Sequence, residues 1–182
     1  MAIEIEKKYR LDEAKRQFVL NALNEIGAEF VGEDLEENII YNGGALNQKN
    51  AILRIRKTQS KTLLTYKEQI QSQSNIKHQI EHETEVVDCE SLKSIVETLG
   101  FRANLLYEKR RKTWKIRNAE LVVDELPFGL FMEIEGSITS IKEAEMLLDI
   151  ENFDAELETY SGLTARLGIL KDGIIEARFD NH

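Results

Sequence analysis

Thirteen charged residues stand at alternate positions within short apolar segments, the spacing of side chains that share one face of a β-strand. Glu4, Glu6 and Lys8 alternate with Ile3 and Ile5, Arg54 and Arg56 with Leu53 and Ile55, and Lys67 with Leu64 and Tyr66. Glu83 and Glu85 fall together in HETE, Lys109 and Arg111 in EKRR, and Glu133 and Glu135 in MEIEG, with Asp124 in VVDE. Any one such pair is what a solvated strand face carries. Together they differ, because like charges neighbour each other in Glu4/Glu6, Arg54/Arg56, Lys109/Arg111 and Glu133/Glu135. At about 7 Å each repulsion is roughly 0.6 kcal/mol in bulk water and roughly 2 kcal/mol at an effective dielectric near 20. Against a net stability of roughly 5 to 15 kcal/mol, several such repulsions require an offset.

Two charge classes on separate strands suggest what supplies it. Carboxylate oxygens suit hard divalent cations such as Mg²⁺ or Mn²⁺, and the planar fork of arginine matches phosphate oxygens two at a time. Facing each other, the two clusters are the equipment of phosphoryl chemistry on a polyanion.

The elements that position them are legible from the change of period. Period-two stretches lie near 2–10, 37–42, 51–57, 62–68, 79–87, 105–115, 119–125 and 130–136, about eight strands. Gly43-Gly44 and the polar segments 57–61 and 69–78 are connections short enough to make neighbours antiparallel. Helices are predicted over 12–27, ending at Gly27, and over 89–99, from Asp88 as N-cap to Gly100. Ser140 and Glu143 have capping-box spacing for a third helix that turns Ile141, Ala144, Leu147 and Leu148 inward, and a shorter helix follows Tyr160. The fold class is therefore α+β: an eight-stranded antiparallel closed barrel with a charged lumen, its outward apolar residues covered by helices. Glu108, Arg110 and Lys112 put charge on the outward face of their strand and predict a bare patch there.

Composition narrows the partners. The 182 residues, 42% hydrophobic, read as one domain over 1–182. A net charge of −9 has the wrong sign for wrapping duplex nucleic acid. No run approaches eighteen apolar residues, and MAIEIEKKYR lacks the apolar stretch of a secretory signal, so the expectation is a cytoplasmic protein without a membrane partner. Cys89 is the one cysteine, which leaves no internal disulfide, no thiolate cage and no His/Cys nucleophile arrangement.

In order and spacing, Glu4-Ile5-Glu6-Lys7-Lys8, LRIR, LTYK, the pair Glu83/Glu85, the pair Lys109/Arg111 and DELPFGLFMEIEG resemble the CYTH family of triphosphate tunnel enzymes over nearly the whole chain. That family includes class IV adenylyl cyclases, thiamine triphosphatases and inorganic triphosphatases, all dependent on Mg²⁺ or Mn²⁺. The resemblance implies that Glu4, Glu6, Asp124, Glu133 and Glu135 hold metal ions and that Lys8, Arg54, Arg56, Lys67, Lys109 and Arg111 bind a triphosphate-containing small molecule. Glu83 and Glu85 complete a second metal site or orient the basic residues. Two positions depart from the family: Glu81 stands where many relatives carry Arg, and Asn42 where they carry Asp.

On this reading the activity is metal-dependent hydrolysis of a triphosphate, inorganic or carried by thiamine or a nucleoside, with Lys67 or one of Glu83 and Glu85 beside the attacking water. Cyclisation of ATP by the same cage is the alternative, and polyphosphate binding without turnover a second. Hydrolysis needs only the triphosphate grip, whereas cyclisation also needs an adenine pocket. Tyr107 shares the face of Lys109 and Arg111 and either stacks on a substrate ring or packs, while Trp114 has the opposite parity and belongs outside. His78, His82 and His182 are scattered and take no role. The tail KDGIIEARFDNH either covers a tunnel mouth or joins a homodimer.

Overall fold

The computed structural model describes residues 2–70 and 76–180. In chain order they form β1 (Ala2–Leu11), α1 (Glu13–Glu25), β2 (Glu29–Asn42), α2 (Ala45–Lys49), β3 (Ala51–Lys57), β4 (Thr62–Ile70), β5 (Lys77–Val86) and α3 (Cys89–Thr98). There follow β6 (Arg102–Ile116), β7 (Ala119–Leu126), β8 (Gly129–Glu135), α4 (Ile138–Leu148), α5 (Tyr160–Leu167), β9 (Ile169–Lys171) and β10 (Ile174–Ala177). Eight strands close on themselves in the order β2-β3-β4-β5-β1-β8-β7-β6 and back to β2, antiparallel at every contact. The ring is uneven. β6 pairs with β2 along almost its full length but with β7 only from Arg110 to Ile116, and β2 meets β3 only over Glu37–Tyr41.

Three apolar groups hold the ring in shape. Outward Leu121, Val123, Met132 and Ile134 pack under α1 and α4 against Val19, Leu23, Ile141 and Leu148. On another side α3 lays Val96 and Leu92 over Tyr41, Ile55 and Leu64. The third group lies inside. Ile40, Leu105, Leu126 and Phe131 share strand faces with Glu36, Lys109, Asp124 and Glu133, and with Tyr160 and Leu163 of α5 they fill one end of the ring. Behind β1, the Tyr9 hydroxyl donates to Glu145 Oε1 of α4 at 2.5 Å, and Lys7 pairs with the same oxygen. This buried contact fixes α4 on the back of the strand that carries Glu4, Glu6 and Lys8.

Helix ends follow local chemistry. Asp12 accepts from Lys15 N at 2.7 Å, and Gly27 at φ +66° closes α1 with Gly27 N–H to Asn24 O and Ala28 N–H to Leu23 O, a left-handed stop that glycine adopts without strain. Asp88 caps α3 as predicted, accepting from Ser91 N at 3.0 Å. For α4 the expectation is corrected: Ser137, not Ser140, is the N-cap, accepting from Ser140 N at 3.0 Å, so Ser140 lies within the first turn.

Other differences have physical causes. β2 begins at Glu29 rather than 37: residues 33–37, four carboxylates around Leu35, carry no apolar alternation, and a register shift between Phe30 and Gly32 interrupts the strand further back. α2 and the β9–β10 hairpin add elements that were not predicted. The bare patch is corrected in part. Arg178 Nη1 bonds Glu37 at 2.9 Å and Glu108 at 2.8 Å, Phe179 N donates to Glu108, and Arg110 lies 4.0 Å over the Phe179 ring. The tail thus joins its own ring, with β10 parallel to β6 at Leu105–Tyr107. His182, the end of that tail, and residues 71–75 of the 69–78 connection lie outside the described residues.

Candidate functional site

The lumen holds a cavity of about 480 Å³. Of the thirteen alternating charges, Glu4, Glu6, Lys8, Arg54, Arg56, Lys67, Glu83, Lys109, Arg111, Glu133 and Glu135 line it. Asp124 is fully buried just behind Arg111, and Glu85 is exposed on β5 outside the lining. Convergence follows from ring closure: residues of one parity on every strand are turned to the same interior.

One sector is basic and comes from β3 and β6. The Arg111 guanidinium grips Asp124 with two bonds, Nε to Oδ1 at 2.8 Å and Nη2 to Oδ2 at 2.7 Å, and Nη2 also reaches Glu133 at 2.7 Å. Lys109 stands 3.3 Å from Glu36 and 3.5 Å from Asp124, and Arg56 bonds Glu83 at 2.9 Å and lies 3.6 Å from Glu36. Burial by itself would raise the Glu36 carboxyl, but Lys109, Arg111, Arg56 and Arg54 hold it well below the usual range. Glu133 is likewise held to about 2 against its burial, first by Lys8 and then by Arg111 and Lys109. Burial and the adjacent Arg111 pull the Lys109 ammonium below its ordinary value.

The opposite sector is acidic and comes from β5, β1, β8 and β7. Glu6 faces Glu135 in register, and Glu135 faces Glu120. Such like pairs are unfavourable without a counter-ion. Burial, and then Glu120 and Glu6, push the Glu135 carboxyl up, with Lys67 opposing. Burial and a hydrogen bond with Glu81 push Glu4 up to about 8. Against its own burial, Glu81 is held at about 2 by that bond and by Lys67. Lys67 Nζ lies 2.6 Å from Glu4 and 2.8 Å from Glu81, and these carboxylates keep it charged against burial and Arg54.

A hard divalent cation fits the donor chemistry of this wall, which offers carboxylate oxygens in excess of cations. Among the described residues no three carboxylates, histidines or cysteines already stand close enough to enclose an ion, so the donors must draw together to do so. Glu6 and Glu135 face each other across β1 and β8, with Glu4 and Glu133 on the same strand faces, where they exchange Lys67 and Arg111 for an ion as the donors converge. Asp124 is committed to Arg111 and to the Tyr160 hydroxyl at 2.7 Å.

Several site residues were not assigned from the strand pattern. Glu36 has the parity of Asn38 and Ile40, and Glu120 that of Asp124, so both were findable once their strands were extended. Glu81, noted as a departure, shares the face of Glu83. Tyr160 has no strand signal at all. Tyr107 is buried, with its ring 6.3 Å from that of Tyr160, and is among the residues that line the cavity, and Trp114 lies outside the ring against Phe30 at 5.2 Å. His82 is exposed beside Tyr66.

A closed antiparallel ring with facing basic and acidic walls defines a β-tunnel protein suited to a polyanion and its cations. The chain belongs to the CYTH domain family, whose model matches residues 2–166. This is a family of triphosphate-tunnel enzymes that depend on divalent cations. A Methanocaldococcus jannaschii protein described as a candidate adenylate cyclase is 30% identical over 181 residues, 97% of this chain and 96% of that one. A solved Pyrococcus horikoshii structure has a TM-score of 0.74 and 26% identity over 86% of this chain and 96% of its own. A Hippeastrum protein, described as a candidate adenylyl cyclase with a dominant triphosphatase activity, has a TM-score of 0.65 and 19% identity, covering 96% of this chain and 100% of that one. Among the described residues no helix is long and apolar enough to cross a membrane.

Proposed function

We propose that this chain is a divalent-metal-dependent triphosphatase that holds its substrate inside the tunnel. The observation that carries the reading is charge: seven carboxylates and six cations line one cavity, the carboxylates on β1, β5, β7 and β8 and four of the cations, Arg54, Arg56, Lys109 and Arg111, on β3 and β6. A triphosphate entering alone would deepen the negative excess, whereas divalent cations on the acidic wall would offset it. The unpaired Nε atoms of Arg54 and Arg56, buried on the basic wall, add donors suited to phosphate oxygens.

Glu4, Glu6, Glu133 and Glu135 would hold Mg²⁺ or Mn²⁺, which when bound draws charge from the phosphate oxygens and lowers the pKa of coordinated water. Lys8, Arg54, Arg56, Lys109 and Arg111 grip the phosphate chain, and Asp124 orients the Arg111 fork. Lys67 keeps its proton, so it serves the developing negative charge rather than accepting a proton. Glu83, whose Oε2 accepts from Thr65 Oγ1 at 2.8 Å and from Arg56, is the carboxylate to take the proton of the attacking water. Glu85, outside the lining, has no part.

Incubation of the pure protein with tripolyphosphate, thiamine triphosphate and ATP, with Mg²⁺, Mn²⁺ or chelator, tests the reading. Metal-dependent release of phosphate is expected. Cyclic AMP and pyrophosphate from ATP would replace hydrolysis with cyclisation, the reading that the described candidate cyclase relative favours, and absence of turnover with tight binding would leave a polyphosphate-binding protein.

A further inference from the structure

Tyr160 opens α5, a helix that stands outside the sequence of ring strands, and its side chain enters the lumen at the apolar end. Three charged groups of the site meet on this one residue. The Lys8 ammonium lies 3.9 Å from the ring centroid, the Lys109 ammonium 5.3 Å, and the Tyr160 hydroxyl donates to Asp124 Oδ2 at 2.7 Å. The ring itself is held from below: Phe131 meets it edge-on at 5.4 Å, and Phe131 is fully buried.

The arrangement matters because of how the other cations are held. Lys67 and Arg111 are gripped by carboxylates at hydrogen-bond distance, and phosphate oxygens must compete with those carboxylates. Lys8 has its carboxylate, Glu133, only at 3.5 Å, and is placed instead by the Tyr160 ring and by the Glu158 carbonyl at 3.0 Å, both neutral. An aromatic face attracts an ammonium without neutralising it. It therefore holds Lys8 beside Lys109, which has Glu36 and Asp124 as counter-charges, and leaves the Lys8 charge for an incoming anion.

We propose that Tyr160 is a positioning residue of the tunnel, whose ring face sets Lys8 and Lys109 to receive phosphate and whose hydroxyl holds Asp124 in place against Arg111. The proposal rests on the triphosphate reading above for its consequence, but its geometry can be tested apart from it.

Tyr160→Phe keeps the face and loses the hydroxyl, and Tyr160→Leu loses both. Stepwise ring fluorination of phenylalanine at the same position empties the face of negative charge at nearly constant shape, which keeps the test open should Tyr160→Leu not fold. Tripolyphosphate binding by calorimetry should weaken by about threefold or less in Tyr160→Phe, by about tenfold or more in Tyr160→Leu, and in graded steps along the fluorinated series. The loss should appear in KM more than in kcat. Independently of any phosphate, labelling by an amine reagent, read by mass spectrometry, should rise at Lys8 and Lys109 with fluorination. Labelling and binding that stay flat along the fluorinated series would overturn the proposal. A wild-type protein that neither binds nor cleaves triphosphates while the labelling still rises would remove the triphosphate reading and leave the positioning role standing.

Discussion

Arg111 is the side chain with the most at stake, because it neutralises a carboxylate that water cannot reach. Asp124 is fully buried and Glu133 nearly so, and Arg111 bonds both. Arg111→Met leaves them uncompensated and should cost about 3–5 kcal/mol in urea unfolding. Arg111→Lys, which keeps the charge and loses the fork, should cost less; equal losses would mean that the fork geometry has no weight. Glu36 supplies a pH signature. Its folded pKa lies below the unfolded value, so its contribution is complete above the ordinary carboxylate range and is lost as pH falls through and below it. The melting temperature of the wild type should therefore drop more steeply between about pH 5 and pH 2 than that of Glu36→Gln, compared by calorimetry. Parallel curves would place the acid sensitivity elsewhere.

At the level of elements, the helices act as braces for strands whose other face carries chemistry. α4 is the clearest, with Ile141 and Leu148 under the ring and Glu145 tied to Lys7 and Tyr9 of β1. Its start depends on one hydroxyl, since Ser137 Oγ accepts the Ser140 N–H. Ser137→Ala should cost about 1 kcal/mol of stability. Ser140→Ala retains that bond and should cost less, as chemical denaturation of the two variants will show. The capping-box spacing of Ser140 and Glu143 misled by one turn because the same Ser-x-x spacing also fits Ser137 and Ser140, and only the path of the chain out of β8 chooses between them. β2 shows the opposite limit. Alternation reveals a strand only where apolar residues mark every second position, and residues 33–37, four carboxylates around Leu35, hide the half that carries Glu36 although its register with β6 runs unbroken from Gly32.

For the whole molecule, paired charge couples two ligands. The cations of the cavity are engaged with its carboxylates, so an anion that draws the cations away frees carboxylates, and a metal that takes carboxylates frees cations. Each ligand should bind more tightly in the presence of the other, as linkage requires of any coupling. Calorimetric titration of tripolyphosphate in chelator and in Mn²⁺ should differ in affinity by more than about tenfold, a coupling above about 1.4 kcal/mol. The rise in melting temperature with both ligands should exceed the sum of the two separate rises. Additive rises would mean that the ion pairs persist in the complex and that the two walls act independently.

The alternation of charged and apolar residues was enough to specify strands, an α+β class, a charged interior and most of the groups that line it, because side-chain parity is a local property of an extended chain. Which cation meets which carboxylate was not local. Arg111 on Asp124, Lys67 between Glu4 and Glu81, and Lys109 on Glu36 depend on register between strands far apart in the chain, and register is set by ring closure and bulges. Tertiary structure likewise decided that one end of the lumen is apolar and that Tyr160, from a helix, stands among the strand residues. A helix-borne side chain follows no strand period, so only the packing of α5 against the ring could bring it there.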